Sequence, residues 1–385
     1  MLKKIDVANF KSFNEKISFD LSSSNYEFNN FAIKNGIVSK ALVYGENGSG
    51  KSNLGLAVFD IIKSITTKEA PDRLFSANYA CLKNRDKQVY FKYYFSFTNG
   101  NVEYEVVKSD FETFVYEKLT INDVVVLEAS RTEDISHGVT PEKAHKPMIM
   151  YVDLAGAETL NKKLMSDKLS IISYVRNNAN LDKRKSSTKL FYEFINFVDH
   201  MLFFKFVDGN RYIGLKNGAE KIASGIIKSN NVKDFQNFLA QYGIHVELKI
   251  ENDSIISCFD EGEADFFEIA SSGTGALTLF YYWYSQFKQE NVSFLFIDEF
   301  DAFYHHALAV KLLKFLNTQT DIQIILTSHN TTLISNELLR PDCYFVLQDN
   351  IIKSLPNLTD KEVRKIHNLE KMYKSNAFNI PSKEK

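Results

Sequence analysis

The stretch GENGSGKS, residues 45–52, gives the strongest indication of fold in this chain of 385 residues. It satisfies the pattern G-x-x-x-x-G-K-[ST], and it follows an apolar predicted strand, ALVY at 41–44. Apolar residues then recur at helical spacing, which predicts a helix that begins near Lys51. In such a strand–loop–helix context, glycines let backbone N–H groups converge on phosphate oxygens, and the helix N-terminus adds a favourable partial charge. We therefore expect a bound nucleoside triphosphate, with Lys51 at its β- and γ-phosphates and the Ser52 hydroxyl on Mg²⁺.

A second motif, FLFIDEFD at 294–301, predicts the acidic half of the same site. Four apolar residues ending in an acid describe a buried strand whose C-terminal tip presents a carboxylate at the edge where α/β sheets bind ligands. We expect Asp298 to hold Mg²⁺ through its water shell and Glu299 to orient or deprotonate the attacking water. Two adjacent acids after an apolar strand also occur by chance, so this prediction depends on the glycine-rich stretch. Asp298 lies 247 positions after Lys51 (298 − 51), which predicts a large insertion and sets the chain apart from compact GTPases.

Two weaker motifs flank the acidic strand in the sequence. ASSGTGAL at 270–277 is a small-residue turn before a helical pattern, and this predicts a second helix N-terminus suited to anions. A flexible Ser/Gly loop explains the same residues equally well. ILTSHN at 325–330 ends a predicted strand in His329, which places an imidazole at the same sheet edge. A lone histidine is more often structural, but the position of this one after the next predicted strand favours a functional role.

Composition narrows the class of protein. The chain is 44% hydrophobic, so it can bury a large core, and its length suggests two to three domains. A net charge of −2 means that no global field attracts nucleic acid, although a local basic face remains compatible with it. The three cysteines lie far apart, which argues against a zinc hook or a disulfide framework. No apolar run is long enough to span a bilayer and no signal-peptide pattern opens the chain, so we expect a cytoplasmic protein without a membrane partner.

The order of predicted elements indicates an α/β fold with a mixed sheet. Alternating strands and helices in the last third predict a largely parallel sheet that is covered on both faces. An N-terminal ATPase lobe over 1–150 carries an antiparallel β region, where Asn99-Gly100 marks a hairpin turn. A mainly helical insertion is expected over 151–265, including the apolar run TKLFYEFINFVDHMLFF. A C-terminal ATPase lobe over 266–385 then completes the domain organisation.

The four motifs in this order resemble the ABC-type ATPase heads of the SMC, RecF and OLD group. The opening KKIDVANFKSF is similar to the N-terminal strand pair of those heads, in which a basic turn residue, here Lys11, lies near the nucleotide phosphates. The resemblance implies a P-loop NTPase with ATP and Mg²⁺ as cofactors. It makes SSGT the signature motif, Asp301 the D-loop residue and His329 the switch histidine. The residues that it places at the nucleotide are Lys11, Asn47, Gly48, Ser49, Gly50, Lys51, Ser52, Asn53, Ser271, Gly273 and Asp301, with Ser52 and Asp298 at the metal and Lys51, Glu299 and His329 as catalytic residues.

The resemblance also implies a dimer in which two copies of the chain enclose two ATP molecules. Ser271 of one copy would bind the γ-phosphate that the glycine loop of the other copy holds. Binding of ATP would then close the dimer, and hydrolysis would release it.

The signature departs from the transporter form LSGGQ, because Ser272, Thr274 and Gly275 stand at three of its positions. The S-x-G-T form resembles the stand-alone AAA-family ATPases of bacterial phage-defence and abortive-infection loci. The hairpin region YEKL…VVVLEASR and the tail ELLRPDCYFVL…VRKIHNLEKMYKSNAFNIP fit that group as well. Only 56 residues (385 − 329) follow His329, too few for the nuclease domain of OLD proteins. We therefore expect a separate effector protein, such as a nuclease.

Two alternatives stay open at this stage. One is a RecF-like DNA-binding ATPase of DNA maintenance, and the other is a nucleotide-dependent scaffold with negligible turnover. The basic run Lys183-Arg184-Lys185 is compatible with nucleic-acid contact, but a solvated charged loop explains it more simply.

Overall fold

Two large β-sheets form the framework of the chain. The computed structural model describes residues 1–66, 76–131, 148–161, 163–164, 166–205, 211–215, 222–228 and 231–379. The strands in chain order are β1 (Leu2–Ala8), β2 (Ile17–Asp20), β3 (Ile33–Lys34), β4 (Ile37–Val38), β5 (Lys40–Tyr44), β6 (Val89–Phe97), β7 (Gly100–Lys108), β8 (Phe114–Ile121), β9 (Val124–Ser130), β10 (Met148–Val152), β11 (Lys163–Leu164), β12 (Met201–Lys205), β13 (Arg211–Gly214), β14 (Glu247–Glu251), β15 (Ser254–Phe259), β16 (Gly262–Asp265), β17 (Phe294–Asp298), β18 (Gln323–Ser328), β19 (Tyr344–Gln348) and β20 (Ile351–Ser354).

The helices lie between and beside these strands. They are α1 (Lys51–Phe59), α2 (Ile61–Ile65), α3 (Ile171–Asn178), α4 (Ser186–Asp199), α5 (Ile222–Lys228), α6 (Val232–Gln241), α7 (Phe266–Ile269), α8 (Ser272–Gln289), α9 (His306–Asn317) and α10 (Leu369–Lys374). None of the described helices combines the length and apolarity needed to cross a membrane.

The central sheet has seven strands in the order β13-β12-β17-β18-β5-β19-β20. The five inner strands run parallel to one another, whereas β13 and β20 pair antiparallel at the two edges. Every residue of β5, β17 and β18 is buried, as expected for parallel strands that helices cover on both faces. The predicted α/β class with a mixed sheet is confirmed.

The second large sheet is antiparallel throughout, with the order β11-β10-β9-β8-β7-β6-β1-β2. Its strands alternate between buried and partly exposed residues, which is the pattern of a sheet with one face on the core. The Gln323 side chain links this sheet to the central one, because it bonds both the N–H and the carbonyl of Leu2. The predicted antiparallel β region in the N-terminal lobe is confirmed.

The region predicted as a mainly helical insertion, 151–265, is more mixed than expected. It contains α3, α4, α5 and α6, but β14, β15 and β16 also form a small antiparallel sheet of their own. Strands β12 and β13 belong to the central sheet rather than to an insertion. The helical prediction for MLFF at 201–204 is therefore wrong. A short continuous apolar run cannot be told from a buried helix by periodicity alone, and pairing with β13 and β17 makes this one a strand.

Candidate nucleotide-binding site

The glycine-rich loop joins β5 to α1, and its backbone conformation requires glycine at two points. Gly48 and Gly50 have φ of 80° and 104°, in the left-handed region that other residues rarely adopt. At Gly45, a Cβ atom would come within 2.5 Å of the Leu347 carbonyl oxygen on β19. The first N–H groups of a helix have no partner inside it, so those of α1 are directed from Gly50 onward toward the loop. The loop therefore has the form of an anion cradle, with the exposed Asn47 and Gly48 at its tip.

Lys51 lies across this loop. Its ammonium group donates to the carbonyl oxygens of Gly45 at 2.7 Å and Glu46 at 3.1 Å. Burial lowers the pKa of Lys51, and the nearby carboxylates of Asp298 and Glu299 act in the opposite direction. The cation is thus held between the loop and the acidic strand, where it can meet a phosphate group.

Ser52 connects the glycine loop directly to the acidic strand. Its hydroxyl donates to Asp298 Oδ2 at 2.6 Å, across 246 positions of sequence. Asp298 is fully buried at the end of β17, and its other oxygen accepts a 2.6 Å hydrogen bond from the Thr327 hydroxyl. A hydroxyl beside a carboxylate is the oxygen donor set that suits Mg²⁺ bound together with a nucleotide. The two residues predicted at the metal are therefore adjacent.

Glu299 follows Asp298 in a strained turn. Its φ is 53°, unusual for a residue other than glycine, and its N–H donates to the Thr327 hydroxyl at 2.8 Å. The side chain is about a third exposed, whereas that of Asp298 is fully buried. The turn thus separates the two acids, one inside the sheet edge and one at the surface of the site. This difference suits their predicted roles at the metal and at the attacking water.

Two polar residues of this site were not predicted from the sequence. Thr327 lies on β18 and bonds both acidic residues, as described above. Lys205 is the last residue of β12, and its ammonium lies 3.5 Å from Asp298 Oδ2 and 3.6 Å from Glu299 Oε1. Each is a polar residue at the carboxyl end of an apolar strand, the same signal that indicates Asp298. That signal is weak for Lys205 because its strand resembles the end of a helix.

The N-terminal turn contacts the glycine loop through Ser12 and Phe13. Ser12 accepts a 2.8 Å hydrogen bond from the Asn53 side chain, and a Cβ atom on Gly50 would meet the Phe13 ring at 2.9 Å. Lys11 instead donates to the Ala77 carbonyl oxygen at 3.0 Å, and burial lowers its pKa. The turn thus packs against the glycine loop, while the Lys11 ammonium contacts the backbone at Ala77.

The SSGT turn caps a long helix. Ser271 is the N-cap of α8, where its hydroxyl accepts from the N–H of Thr274 at 3.2 Å and lies 3.0 Å from the Thr274 hydroxyl. Gly273 packs against the loop that follows the acidic strand, because a Cβ atom there would lie 3.3 Å from the Phe303 carbonyl oxygen. Ser271 is exposed, and within the described parts of the chain no hydrogen bond joins its side chain to the glycine loop.

Asp301 and His329 lie in the loops after β17 and β18. Asp301 is buried, and its Oδ1 has no hydrogen-bond partner among the described residues. Buried carboxylate oxygens normally have partners, so this one is a candidate acceptor for a group outside the chain. His329 is exposed, and Asn330 beside it caps a short 3₁₀ helix, Thr331–Leu333. The structure thus places both residues at the carboxyl edge of the sheet.

The C-terminal segment packs beside the glycine loop. Tyr373 of α10 has its ring centroid 6.4 Å from that of Tyr44, which ends β5. Arg340 and Asp342 form a buried ion pair at 2.8 Å, and Asp342 also accepts from the Ser24 N–H at 2.6 Å. Tyr373 thus packs at the end of β5, while Arg340 and Asp342 connect the segment before β19 to the N-terminal loop at Ser24. The closing Ile-Pro of the tail, 380–381, lies outside the described residues.

A protein-family model matches the part of the chain that carries the acidic strand. Residues 202–335 match a protein-family model described as "AAA domain, putative AbiEii toxin, Type IV TA system". The match spans about a third of the chain and includes the SSGT turn, β17 and β18, but not the glycine loop. The comparison with curated proteins found no match.

The solved structures that match this chain include heads of SMC proteins. The SMC head domain from Thermotoga maritima is 16% identical with a TM-score of 0.41, over 91% of this chain and 97% of that one. An SmcHead bound to the C-winged helix domain of ScpA is 15% identical with a TM-score of 0.45, over 92% and 99%. The Pyrococcus furiosus Smc head bound to the C-terminal domain of ScpA is 14% identical with a TM-score of 0.41, over 92% and 97%. Likenesses this low carry no information about function or partners.

Proposed function

We propose that this protein binds ATP with Mg²⁺ and hydrolyses it. The observation that carries the proposal is the 2.6 Å hydrogen bond from Ser52 to Asp298, because it joins the glycine loop to the acidic strand in one site. The family description of residues 202–335 as an AAA domain supports the same activity.

Each part of the site has a task in this reaction. The loop N–H groups and Lys51 bind the phosphates, and Ser52 and Asp298 would hold the cation. Mg²⁺, when bound, neutralises the charge on the β- and γ-phosphates. Glu299 accepts a hydrogen bond from the attacking water and orients it toward the γ-phosphate, since its carboxylate is the accessible one of the acidic pair.

The test is a comparison of nucleotide binding with phosphate release in three variants. We expect Lys51→Ala to lose most of its affinity for ATP, and Glu299→Gln to keep ATP but to release no phosphate. Glu261→Gln, an exposed glutamate in the turn between β15 and β16, is the matched control and should behave as wild type. Phosphate release by Glu299→Gln at the wild-type rate would contradict the assignment of the water-activating residue.

We further propose that two copies close around two ATP molecules and regulate a separate effector, such as a nuclease, in defence against phage. Two features support closure between copies: Ser271 is exposed on its helix N-terminus, and Asp301 Oδ1 is buried without a partner among the described residues. The matched family, whose description names a toxin of a Type IV TA system, supports the defence role. A protective locus that resists phage equally well with the Lys51→Ala variant would contradict that role.

A DNA-maintenance ATPase is the second candidate, and a basic cavity favours it. A cavity of about 500 Å³ lies between α3 and α4 and is lined in part by Arg176, Lys183, Lys189 and Tyr192. Asp199 also lines it and pairs with Arg176 at 2.7 Å. Cations beside an aromatic ring are a common way to bind the phosphates and bases of single strands.

Fluorescence anisotropy of labelled single- and double-stranded DNA across a salt series tests this candidate. If it is correct, the double variant Lys183→Ala/Lys189→Ala binds more weakly than wild type. A control pair of exposed lysines elsewhere, Lys233→Ala/Lys311→Ala, leaves binding unchanged. Absence of any DNA binding at low salt, with and without ATP, would exclude the candidate.

A further inference from the structure

Lys205 provides a positive charge inside the acidic half of the site. It pairs in parallel register with Asp298, so the ends of β12 and β17 place the two residues side by side. Its ammonium is within 4 Å of oxygens from both Asp298 and Glu299, and its side chain is only 20% exposed. The contact is thus built by strand pairing between two buried strands, unlike a surface ion pair between flexible side chains.

The charges around Asp298 explain why a cation is needed there. Three acidic residues, Asp298, Glu299 and Asp301, lie close enough to raise the pKa of Lys51 against the effect of its burial. Lys51 itself is bonded to the loop carbonyl groups of Gly45 and Glu46. Within the part of the chain that the structure describes, Lys205 is therefore the cation in ion-pair contact with Asp298 and Glu299. A fully buried carboxylate such as Asp298 is costly unless a positive charge or hydrogen bonds compensate it.

We propose that Lys205 is an internal counter-ion for Asp298 and Glu299 and performs part of the charge neutralisation that Mg²⁺ supplies. Lys205 is a positioning residue: it acts on the two carboxylates, not on the reacting atoms. Mg²⁺ held beside Asp298 would supply the same neutralisation. The part of the inference that concerns ATP rests on the proposed function, whereas the part that concerns Mg²⁺ alone does not.

The inference predicts that Mg²⁺ and Lys205 substitute for each other. In Lys205→Met the two carboxylates lose their cation, so Mg²⁺ without nucleotide should stabilise this variant more than it stabilises wild type. ATP without Mg²⁺ should bind the variant poorly, because its phosphates then meet two uncompensated carboxylates. With Mg²⁺ present, much of this loss should disappear.

The first experiment measures melting temperatures in EDTA and in Mg²⁺, without nucleotide. We expect Mg²⁺ to raise the melting temperature of Lys205→Met by about 2 °C more than that of wild type. Lys205→Arg, which keeps the charge, should respond as wild type does. The matched control is Lys92→Met, a strand lysine 21% exposed and paired with Glu103 at 2.8 Å on the antiparallel sheet. Lys205→Gln is a second variant that removes the charge. If Lys205→Met or Lys205→Gln folds only when Mg²⁺ is present, that result also supports the inference.

The second experiment measures ATP affinity in EDTA and in Mg²⁺ by calorimetry. In EDTA we expect Lys205→Met to bind ATP about tenfold more weakly than wild type, equivalent to one lost charge interaction, and in Mg²⁺ at most about threefold more weakly. Equal Mg²⁺ responses of Lys205→Met and Lys92→Met in melting, or an equal loss of ATP affinity with and without Mg²⁺, would overturn the inference. Failure of wild type to bind ATP at all would overturn the proposed function and the ATP part of the inference, while the melting experiment would still decide the rest.

Discussion

Thr327 organises the acidic end of the site through one hydroxyl group. That hydroxyl donates to Asp298 Oδ1 at 2.6 Å and accepts from the Glu299 N–H at 2.8 Å. Because Glu299 has a positive φ, this second bond helps to hold a strained backbone turn in place. Thr327 therefore holds the carboxylate of Asp298 and the backbone turn from which the Glu299 side chain extends.

Thr327→Val tests this role, because valine has the same shape without the hydroxyl. We expect the free energy of unfolding to fall by about 2 kcal/mol, since Asp298 and the Glu299 N–H both lose a buried partner. Phosphate release should fall about tenfold or more, because a displaced Glu299 orients water poorly. Thr327→Ser keeps the hydroxyl and is the control for both measurements. Wild-type phosphate release by Thr327→Val would contradict the role.

Lys40 predicts a dependence of stability on pH. It is buried at the start of β5, donates to the Ile322 carbonyl oxygen at 2.5 Å, and burial lowers its pKa from 10.5 to about 8. Between these two values the unfolded chain binds more protons than the folded chain, so stability increases as pH rises through this window. At pH 7 Lys40 is protonated in both the folded and the unfolded chain. Folding therefore bears the full cost of burying its positive charge, about 3 kcal/mol.

We therefore expect Lys40→Met to be more stable than wild type at pH 7, by about 2 kcal/mol after the lost hydrogen bond is counted. The advantage should decrease steadily between pH 8 and pH 10 in urea titrations. A constant difference across that range would show that Lys40 is not buried as a cation.

The residues of the site differ in how well sequence indicates them. Lys51, Ser52 and Asp298 could be predicted because residue type, spacing and a neighbouring strand or helix all agree. Thr327 and Lys205 could not, because each acts through the strand register with β17, and register is a property of tertiary pairing. The position of Lys11 near the phosphates stays a prediction, and its contact with the Ala77 carbonyl oxygen is one that no local pattern indicates.

Helix α1 is positioned against the central sheet by a glycine. A Cβ atom on Gly55 would lie 2.7 Å from the Phe203 ring on β12 and 2.8 Å from the Phe296 ring on β17. The close approach fixes the helix that carries Lys51 and Ser52 over the strands that carry Lys205 and Asp298. Packing of this element thus controls the geometry of the site.

Gly55→Ala should lower the free energy of unfolding by about 1–3 kcal/mol, because the methyl group overpacks two buried rings. Gly275→Ala is the matched control in helix α8, where a Cβ atom would have nothing within 4 Å. It should raise stability by about 0.5–1 kcal/mol through helix propensity. Urea unfolding of both variants checks the pair, and a stabilising effect of Gly55→Ala would contradict the close packing.

A helix or strand could be predicted where its sequence pattern has only one interpretation. The hairpin of β6 and β7 follows from alternation around Asn99-Gly100, and the structure pairs these strands over nine positions from Val89 to Phe97. Strand β12 was predicted as helix because MLFFK is apolar without alternation and directly follows α4. The parallel strand β17, which is remote in sequence, supplies hydrogen bonds that stabilise β12 as a strand.

The folded chain brings together the two halves of the site, the glycine loop and the acidic strand, which are distant in sequence. The parallel central sheet was predictable from the alternation of strands and helices, and the antiparallel sheet from its hairpins. The structure of residues 151–265 was harder to predict, because the chain returns to the central sheet with β12 and leaves it again before β14. The assembly of two copies remains a prediction from the SSGT resemblance, the exposure of Ser271 and the Asp301 oxygen that has no partner in the described part of the chain.

Sedimentation velocity with ATP and Mg²⁺ can decide between a site completed by a second copy and a site complete in one chain. We predict that Glu299→Gln sediments at twice the monomer mass with ATP and as a monomer without it. Glu299→Gln combined with Ser271→Ala should still bind ATP but remain monomeric, and Lys51→Ala should stay monomeric because it lacks nucleotide. If Glu299→Gln binds ATP and sediments identically with and without it, the site does not require a second copy and the account of a two-copy ATPase is wrong.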